Sequence, residues 1–217
     1  RYSGEQFAKE VMGVSQAAGL GDKPYVVGHS FGGFVTLETG HLYSKELGGI
    51  VVLDFTISAP AQIEAFVEFR RQRQAEAVRP TRVYSDRPSA LARFRLLPEQ
   101  TCQHPEIVAY VGAHGIRPVE GGWTWKFDPS MFKNLSMARE GSPSDEDKLL
   151  GLACPAAFIM AEHSLDYSPE SVVYTRQLTD GRIPMLTIPN TYHHLMFDEP
   201  LAVATALQSL LLAWQLR

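Results

Sequence analysis

Cysteine is scarce in this chain, and no hydrophobic run is long enough to cross a membrane. The two cysteines, Cys102 and Cys154, belong to no Cys-x-x-Cys or Cys/His pattern, which argues against a disulfide scaffold. The most apolar stretch, from Leu201 to Trp214, is too short for a bilayer and includes polar residues. No signal peptide precedes Tyr2, so we expect a cytoplasmic protein without a membrane span.

An excess of positive charge is also absent. The chain has 20 Lys and Arg against 24 Asp and Glu, a formal net charge of −4, which argues against general binding to nucleic acid or to membrane surfaces. It has no His-Glu-x-x-His motif and no other paired His and Asp pattern, so we expect neither a metal nor a cofactor. The remaining composition, 45% hydrophobic in 217 residues, suits one sizeable hydrophobic core.

Apolar strands alternate with helices in the two outer parts of the chain. Ser3 to Gly19 has the capping-box spacing and the apolar face of a helix, and Tyr25 to Val27 is a short apolar strand. This alternation continues on both sides of the chain centre, which predicts parallel strands covered by helices on both faces. The other predicted elements are a helix over 34–43, strands over 50–54, 156–160 and 184–188, and helices over 168–178 and 200–215.

Residues 58–148 interrupt this alternation. Predicted helices over 61–78, 88–96 and 105–113 are followed by one alternating strand over 121–127. We therefore expect an α/β core made of residues 1–57 and 149–217, with a mainly helical insertion over 58–148.

One motif carries recognisable chemistry. Gly28-His29-Ser30-Phe31-Gly32 fits Gly-x-Ser-x-Gly between a predicted strand and a predicted helix. The Ser of such a motif sits on a sharp, strained turn, and we expect the flanking glycines to relieve clashes there. The helix that follows directs its leading N–H groups toward developing negative charge, and the N–H of Phe31 is the predicted oxyanion donor. Ser30 is therefore the candidate nucleophile.

A serine nucleophile needs a base to take its proton, and the base needs a carboxylate to orient it. The loop after the predicted strand over 184–188 contains His193 and His194 and leads into Asp198-Glu199-Pro200. These two histidines are the candidates for the base.

With these residues in place, the sequence resembles the α/β-hydrolase superfamily. The shared features are the Gly-His-Ser-Phe-Gly-Gly turn, the strand and helix order after it, an inserted cap over 58–148, and a His loop leading into Asp-Glu-Pro. The resemblance implies an α/β-hydrolase fold with a serine nucleophile. Counting back from Pro200 places the family's histidine on His193, with Tyr192 where Gly is usual and His194 as the neighbouring alternative.

The resemblance leaves two positions for the acid. The family most often places it after the next-to-last strand, where Ser164 stands in the usual acid position and Asp166 follows two residues later. Some members carry it after the strand that follows the Ser, and that strand ends here at Asp54. Because a strand-end carboxylate already lies at the carboxyl end of the sheet, we predict Asp54 and keep Asp166 as the alternative.

The early part of the family's fold has no counterpart in this sequence. Only 29 residues precede Ser30, and one helix and one strand fill them, so the upstream loop that supplies the family's second oxyanion donor is missing. The chain also starts at Arg1 rather than Met. We therefore expect a chain without the family's first strands, with four parallel strands and an open apolar edge at Tyr25 to Val27.

The reaction that the resemblance implies is hydrolysis of a small-molecule carboxylic ester, lactone or thioester through an acyl-enzyme. Hydrolysis of a C–C bond by the same three residues, and ligand binding by an inactive family member, are the alternatives. The candidates for lining the substrate pocket are His29 and His194, beside the nucleophile and the base, and Trp123 and Trp125, which alternate on the strand of the insertion. The sequence leaves the substrate and the oligomeric state open.

Overall fold

The computed structural model describes residues 2–64, 67–68, 82–128, 131, 135–136, 141–164 and 168–216. The strands in these residues are β1 (Tyr2–Ser3), β2 (Tyr25–His29), β3 (Gly49–Leu53), β4 (Ile116–Val119), β5 (Gly122–Trp125), β6 (Leu135–Ser136), β7 (Ala156–Ala161) and β8 (Met185–Ile188). The helices are α1 (Gly4–Ala17), α2 (Phe31–Tyr43), α3 (Arg87–Leu91), α4 (Pro105–His114), α5 (Asp145–Leu150), α6 (Pro169–Leu178), α7 (Leu195–Asp198) and α8 (Pro200–Gln215). Asp166 and most of the helix predicted over 61–78 lie outside the described residues.

A four-stranded parallel sheet forms the centre of the fold, in the order β2-β3-β7-β8. Val26 pairs with Ile50, Ile50 pairs with Ala156, and Phe158 pairs with Met185. The prediction of a parallel α/β sheet with four strands is confirmed. Within the described residues no strand pairs with the outer edge of β2, where the side chain of Val27 is 43% exposed.

Helices cover both faces of this sheet because successive strand residues point to opposite sides. Val51 and Ile159 face α8 and pack with Leu210 and Trp214. Their neighbours on the strands face α2 and α6 in a second apolar cluster that includes Phe34, Leu37, Val52, Phe158 and Val172. The two clusters form the layered core that holds the carboxyl ends of the strands in place.

Helix α1 packs against α2, outside the sheet. Ser3 caps its first turn, with the Ser3 side chain accepting a hydrogen bond from the Gln6 backbone N–H at 3.1 Å. The Gln6 side chain donates to Glu10 at 2.9 Å rather than back to Ser3, so only half of the predicted capping box forms. No helix in the described part of the chain combines the length and the apolar character that a bilayer crossing requires.

Between β3 and α5 the described residues contain α3, α4 and a small antiparallel hairpin. The hairpin joins β4 to β5, with Ile116 opposite Trp125, and Tyr84 adds a single bridge to Trp123. The strand predicted over 121–127 is therefore paired, and the helix predicted over 105–113 is α4. The helix predicted over 88–96 is shorter than expected, because α3 ends at Leu91.

Candidate active site

Ser30 lies on a sharp turn between β2 and α2. Its backbone has φ 55° and ψ −120°, a conformation that a residue with a side chain rarely adopts. The Ser30 N–H donates to the carbonyl of Leu53 at 2.9 Å, which ties the turn to the end of β3. Phe31 is the first residue of α2, so Ser30 stands beside the partially positive end of that helix.

Only one of the two motif glycines is needed for close packing. A Cβ on Gly28 would lie 2.1 Å from the Gly32 carbonyl oxygen and 2.2 Å from the Thr36 hydroxyl, whereas a Cβ on Gly32 would meet nothing within 4 Å. The expectation that both glycines relieve clashes is therefore correct at Gly28 and wrong at Gly32.

Asp54 follows β3 directly and is completely buried, with a φ of 46°. One carboxylate oxygen accepts a hydrogen bond from the Ala161 N–H at 3.0 Å, at the end of β7. The other accepts from the Ser164 hydroxyl at 2.6 Å and from the Nδ1 of His193 at 2.7 Å. These three donors supply hydrogen bonds to a carboxylate that water does not reach.

His193 lies between Asp54 and Ser30 and is 1% exposed. Because an ionised carboxylate can only accept, the Nδ1 of His193 carries the hydrogen in its contact with Asp54. The Nε2 is then the acceptor for the Ser30 hydroxyl, 2.8 Å away. The structure thus brings the predicted Ser30, His193 and Asp54 into one hydrogen-bonded row, and the alternative acid Asp166 lies outside the described residues.

Two further histidines surround His193. The His29 ring centroid is 4.7 Å from that of His193, and its Nε2 donates to the His193 carbonyl at 2.7 Å. Burial, together with the nearby His193, lowers the pKa of His29 to about 4, so His29 is neutral at physiological pH. The ring of His194 lies 5.0 Å from that of His193, and its Nε2 contacts the carbonyl of Pro98 at 3.2 Å.

The tryptophans predicted for the substrate pocket lie on the β4–β5 hairpin. The Trp125 ring contacts Tyr84, Phe94 and Phe127, which all belong to residues 58–148, at centroid distances of 6.3, 5.9 and 6.4 Å. Trp123 exchanges backbone hydrogen bonds with Tyr84.

Gln100 and Asp198 lie next to this site, and sequence reasoning did not identify either as functional. The Gln100 amide joins the His194 N–H, at 2.8 Å, to the carboxylate of Asp198, at 3.1 Å. Asp198 belongs to Asp-Glu-Pro, which locates the histidine loop but indicates no role for the aspartate, and Gln100 lies in a loop with no motif. No local pattern could have found Gln100, because its partner is 94 residues away in sequence.

A metal site requires several ligating side chains close together. Across the described residues, no group of three or more His, Cys, Asp or Glu side chains is arranged to hold a metal ion.

Comparison with known protein families assigns the chain to one of them. Residues 4–206 match the model of the alpha/beta hydrolase family. The chain belongs to this family. Its sequence matches none of the curated proteins with which it was compared.

Several solved structures share the fold at low sequence identity. E-2-(acetamidomethylene)succinate hydrolase superposes with a TM-score of 0.75 and is 19% identical, over 97% of this chain and 74% of its own. An esterase of M. tuberculosis has a TM-score of 0.72 at 15% identity, over 97% of this chain and 69% of its own. The thioesterase domain from the curacin biosynthetic pathway has a TM-score of 0.65 at 20% identity, over 97% and 73%. At these identities the likeness establishes the fold.

Proposed function

We propose that this alpha/beta hydrolase is a serine hydrolase that cleaves a carboxylic ester, lactone or thioester of a small molecule. The observation that carries the proposal is the hydrogen-bonded row from Ser30 through His193 to Asp54, at 2.8 and 2.7 Å. A buried, oriented imidazole whose free nitrogen faces a serine hydroxyl is the arrangement that activates that hydroxyl.

In the first half of the reaction, His193 Nε2 takes the proton of Ser30 as its Oγ attacks the acyl carbonyl carbon. The carbonyl oxygen becomes an oxyanion, which the Phe31 N–H and the positive end of α2 stabilise. Collapse of the tetrahedral intermediate breaks the bond to the leaving group, which receives its proton from His193. The acyl group is then bound to Ser30 Oγ.

In the second half, water attacks the acyl-enzyme. His193 takes a proton from that water, and a second tetrahedral intermediate forms with its oxyanion at the same position. Its collapse releases the carboxylic acid and returns the proton to Ser30. Asp54 stays ionised throughout, orienting His193 and stabilising the imidazolium while it carries the proton.

Residues 58–148 complete the proposed site as a cap. The proposal is supported by Gln100 and Pro98 of this segment, which bind His194 in the loop of the candidate base. We assign the substrate-facing surface to Trp123 and Trp125 of this segment together with His194, and residues 1–57 and 149–217 to the hydrolase core.

Labelling with a fluorophosphonate probe tests the proposal directly. The probe phosphonylates a serine only when its hydroxyl is activated, so the wild-type protein should be labelled at Ser30 and the Ser30→Ala variant should not. Hydrolysis of p-nitrophenyl esters of increasing acyl length should be lost in the same variant. A folded wild-type protein that is neither labelled nor active would instead be a ligand-binding member of the family.

A further inference from the structure

One peptide group at the site is held from both sides. The carbonyl of His193 accepts a hydrogen bond from the Nε2 of His29 at 2.7 Å. The N–H of the next residue, His194, donates to the Oε1 of Gln100 at 2.8 Å. Because the carbonyl and the N–H of a trans peptide point in opposite directions, these two bonds hold the 193–194 peptide from opposite sides.

The two holding groups come from different parts of the chain. His29 precedes the nucleophile at the end of β2, and Gln100 lies in the segment between α3 and α4. Fixing the 193–194 peptide restricts rotation about the ψ angle of His193, and it therefore helps to hold in place the backbone from which the imidazole extends. A group that resists this rotation acts on the base without touching the substrate.

The amide of Gln100 is itself oriented by its neighbours. Its Nε2 donates to Asp198 Oδ2 at 3.1 Å and to the Cys102 sulfur at 3.4 Å, which leaves its Oε1 facing the His194 N–H. Asp198 is 1% exposed and also accepts from the N–H groups of Tyr192, at 2.9 Å, and Gln103, at 3.4 Å. The buried carboxylate thus locks the amide in the orientation that binds His194.

We infer that His29 and Gln100 are positioning residues that clamp the 193–194 peptide and so hold the His193 imidazole in line with Ser30 and Asp54. This inference rests on the proposed function, in which His193 is the base. Gln100 lies in the loop between α3 and α4, so a change that breaks its bond to His194 removes one side of the clamp and lowers the activity of the base.

The first test replaces the amide by an apolar side chain of similar size. Gln100→Leu should lower kcat about 10- to 100-fold with KM changed less than about threefold, because a misplaced base slows the chemistry rather than the binding. Thr101→Leu is the matched control, since Thr101 is exposed and adjacent, and should keep the wild-type kcat. Bonds from His194 to Pro98 and from His104 to Phe197 remain in Gln100→Leu and support the loop.

The second test uses the pH profile, which a merely structural residue would not move. In Gln100→Glu the new carboxyl faces the buried Asp198, whose negative charge raises the pKa of the new carboxyl. While protonated, Glu at this position still donates to Asp198 and accepts from His194. As pH rises and it ionises, repulsion opens the clamp, so kcat should fall toward about pH 9 in this variant alone.

Other titratable groups near position 100 do not produce this loss. In the described residues these include Glu99, the Cys102 thiol, His194 and the mutually bonded His104 and Glu106. Burial raises the pKa of the Cys102 thiol, and the same thiol is present in the wild type, so it cannot cause a loss that is confined to the variant. Thr101→Glu adds the same charge one residue away and should keep the wild-type profile.

The third test acts on the other side of the clamp. His29→Gln places an amide N–H close to the position of the imidazole Nε2, and should keep kcat within about threefold of wild type, whereas His29→Leu should lose about 10- to 100-fold. In both Leu variants the far-downfield proton resonance of the His193–Asp54 hydrogen bond should broaden, a readout that needs no turnover.

The outcomes separate this inference from the proposed function. If the wild type is not labelled by the fluorophosphonate, the proposed function fails and the clamp has no catalytic role. If the wild type is labelled and active, but folded Gln100→Leu and His29→Leu match it in kcat, pH profile and resonance, the inference alone is overturned. If Gln100→Leu does not fold, the inference is tested instead by the kcat of His29→Leu against that of His29→Gln and by the pH dependence of kcat in Gln100→Glu.

Discussion

At the scale of single residues, Asp54 determines how the candidate site is assembled. Asp54 directly follows β3 and His193 follows β8, and β7 lies between these two strands in the sheet. Asp54 therefore reaches across the end of β7, where the Ala161 N–H and the Ser164 hydroxyl bind it. The sequence alone placed Asp54 at the correct edge of the sheet, but could not show that Ser164 would donate to it.

Asp54→Asn should lower kcat by about ten-thousand-fold. An amide in place of the carboxylate can donate to Nδ1, which leaves the hydrogen on Nε2, where it cannot accept the Ser30 proton. The measurement is kcat on a chromogenic ester at neutral pH. Asp166→Asn is the matched control and should retain most of the activity. The reverse pattern would assign the acid to Asp166.

His29 should make the protein sensitive to acid. Its pKa is about 4 in the folded protein, lowered by burial and by His193, against about 6.5 when unfolded. A depressed histidine pKa means that the unfolded chain binds the proton first, so stability is lost as pH falls from about 6.5 to about 4. The loss is at most about 3 kcal/mol.

Urea unfolding at several pH values measures this effect. The His29→Gln variant has no ionisable group at this position, so its free energy of unfolding should fall less over the same range. Equal acid sensitivity in both proteins would show that His29 is not the group responsible.

At the scale of elements, the turn between β2 and α2 depends on how closely the two pack. The Gly28 α-carbon faces the Gly32 carbonyl, and the Gly33 α-carbon faces Phe55 and Val52. The pattern Gly-x-Ser-x-Gly predicted the turn because its setting, strand before and helix after, is local in sequence. It could not distinguish the roles of its two glycines, because the atoms that Gly28 meets are known only once the helix is placed.

Gly28→Ala should lower the free energy of unfolding by at least about 2 kcal/mol, because its Cβ would overlap a backbone oxygen that cannot rotate away. Gly32→Ala is the matched control and should leave stability unchanged or slightly higher, since alanine favours a helix and its Cβ meets open space. Chemical denaturation measures both. Equal destabilisation by the two substitutions would contradict this account of the turn.

Helices α2 and α5 are joined by a buried ion pair between Glu38 and Lys148, whose side chains are 9% and 6% exposed. Lys148 also binds Asp145 at 2.9 Å. Burial disfavours the charged amine, but the bonds from Glu38 and Asp145 outweigh it and raise the pKa of Lys148. Each charge of this pair has its partner. Removing only one of the two side chains lowers the free energy of unfolding, because the other charge stays buried without a partner.

Lys148→Met should therefore destabilise the fold by about 3 to 5 kcal/mol, because it leaves Glu38 buried without its cation. The double variant Glu38→Leu/Lys148→Met should recover much of that loss. Thermal unfolding compares them with Lys9→Met, which removes the exposed Lys9–Glu5 pair and should cost less than about 1 kcal/mol. A single variant no less stable than the double would contradict this account.

At the scale of the whole molecule, features that depend on local sequence patterns could be predicted. Contacts between segments that are distant in sequence could not. The alternation of apolar strands with helices predicted the parallel sheet, and the loop before Pro200 pointed to His193. The bonds of Gln100 to His194 and Asp198 join a loop without any motif to one that is 94 to 98 residues away. Such contacts arise from packing, so no spacing in the sequence signals them.

The central claim is that Ser30 is an activated nucleophile, and the most direct measurement is the site and rate of fluorophosphonate labelling, read by intact mass and peptide mapping. We expect one adduct per chain, on Ser30, formed at a measurable rate in the wild type and abolished in Ser30→Ala. A folded wild-type protein with no adduct, or an adduct that persists in Ser30→Ala, would contradict the claim.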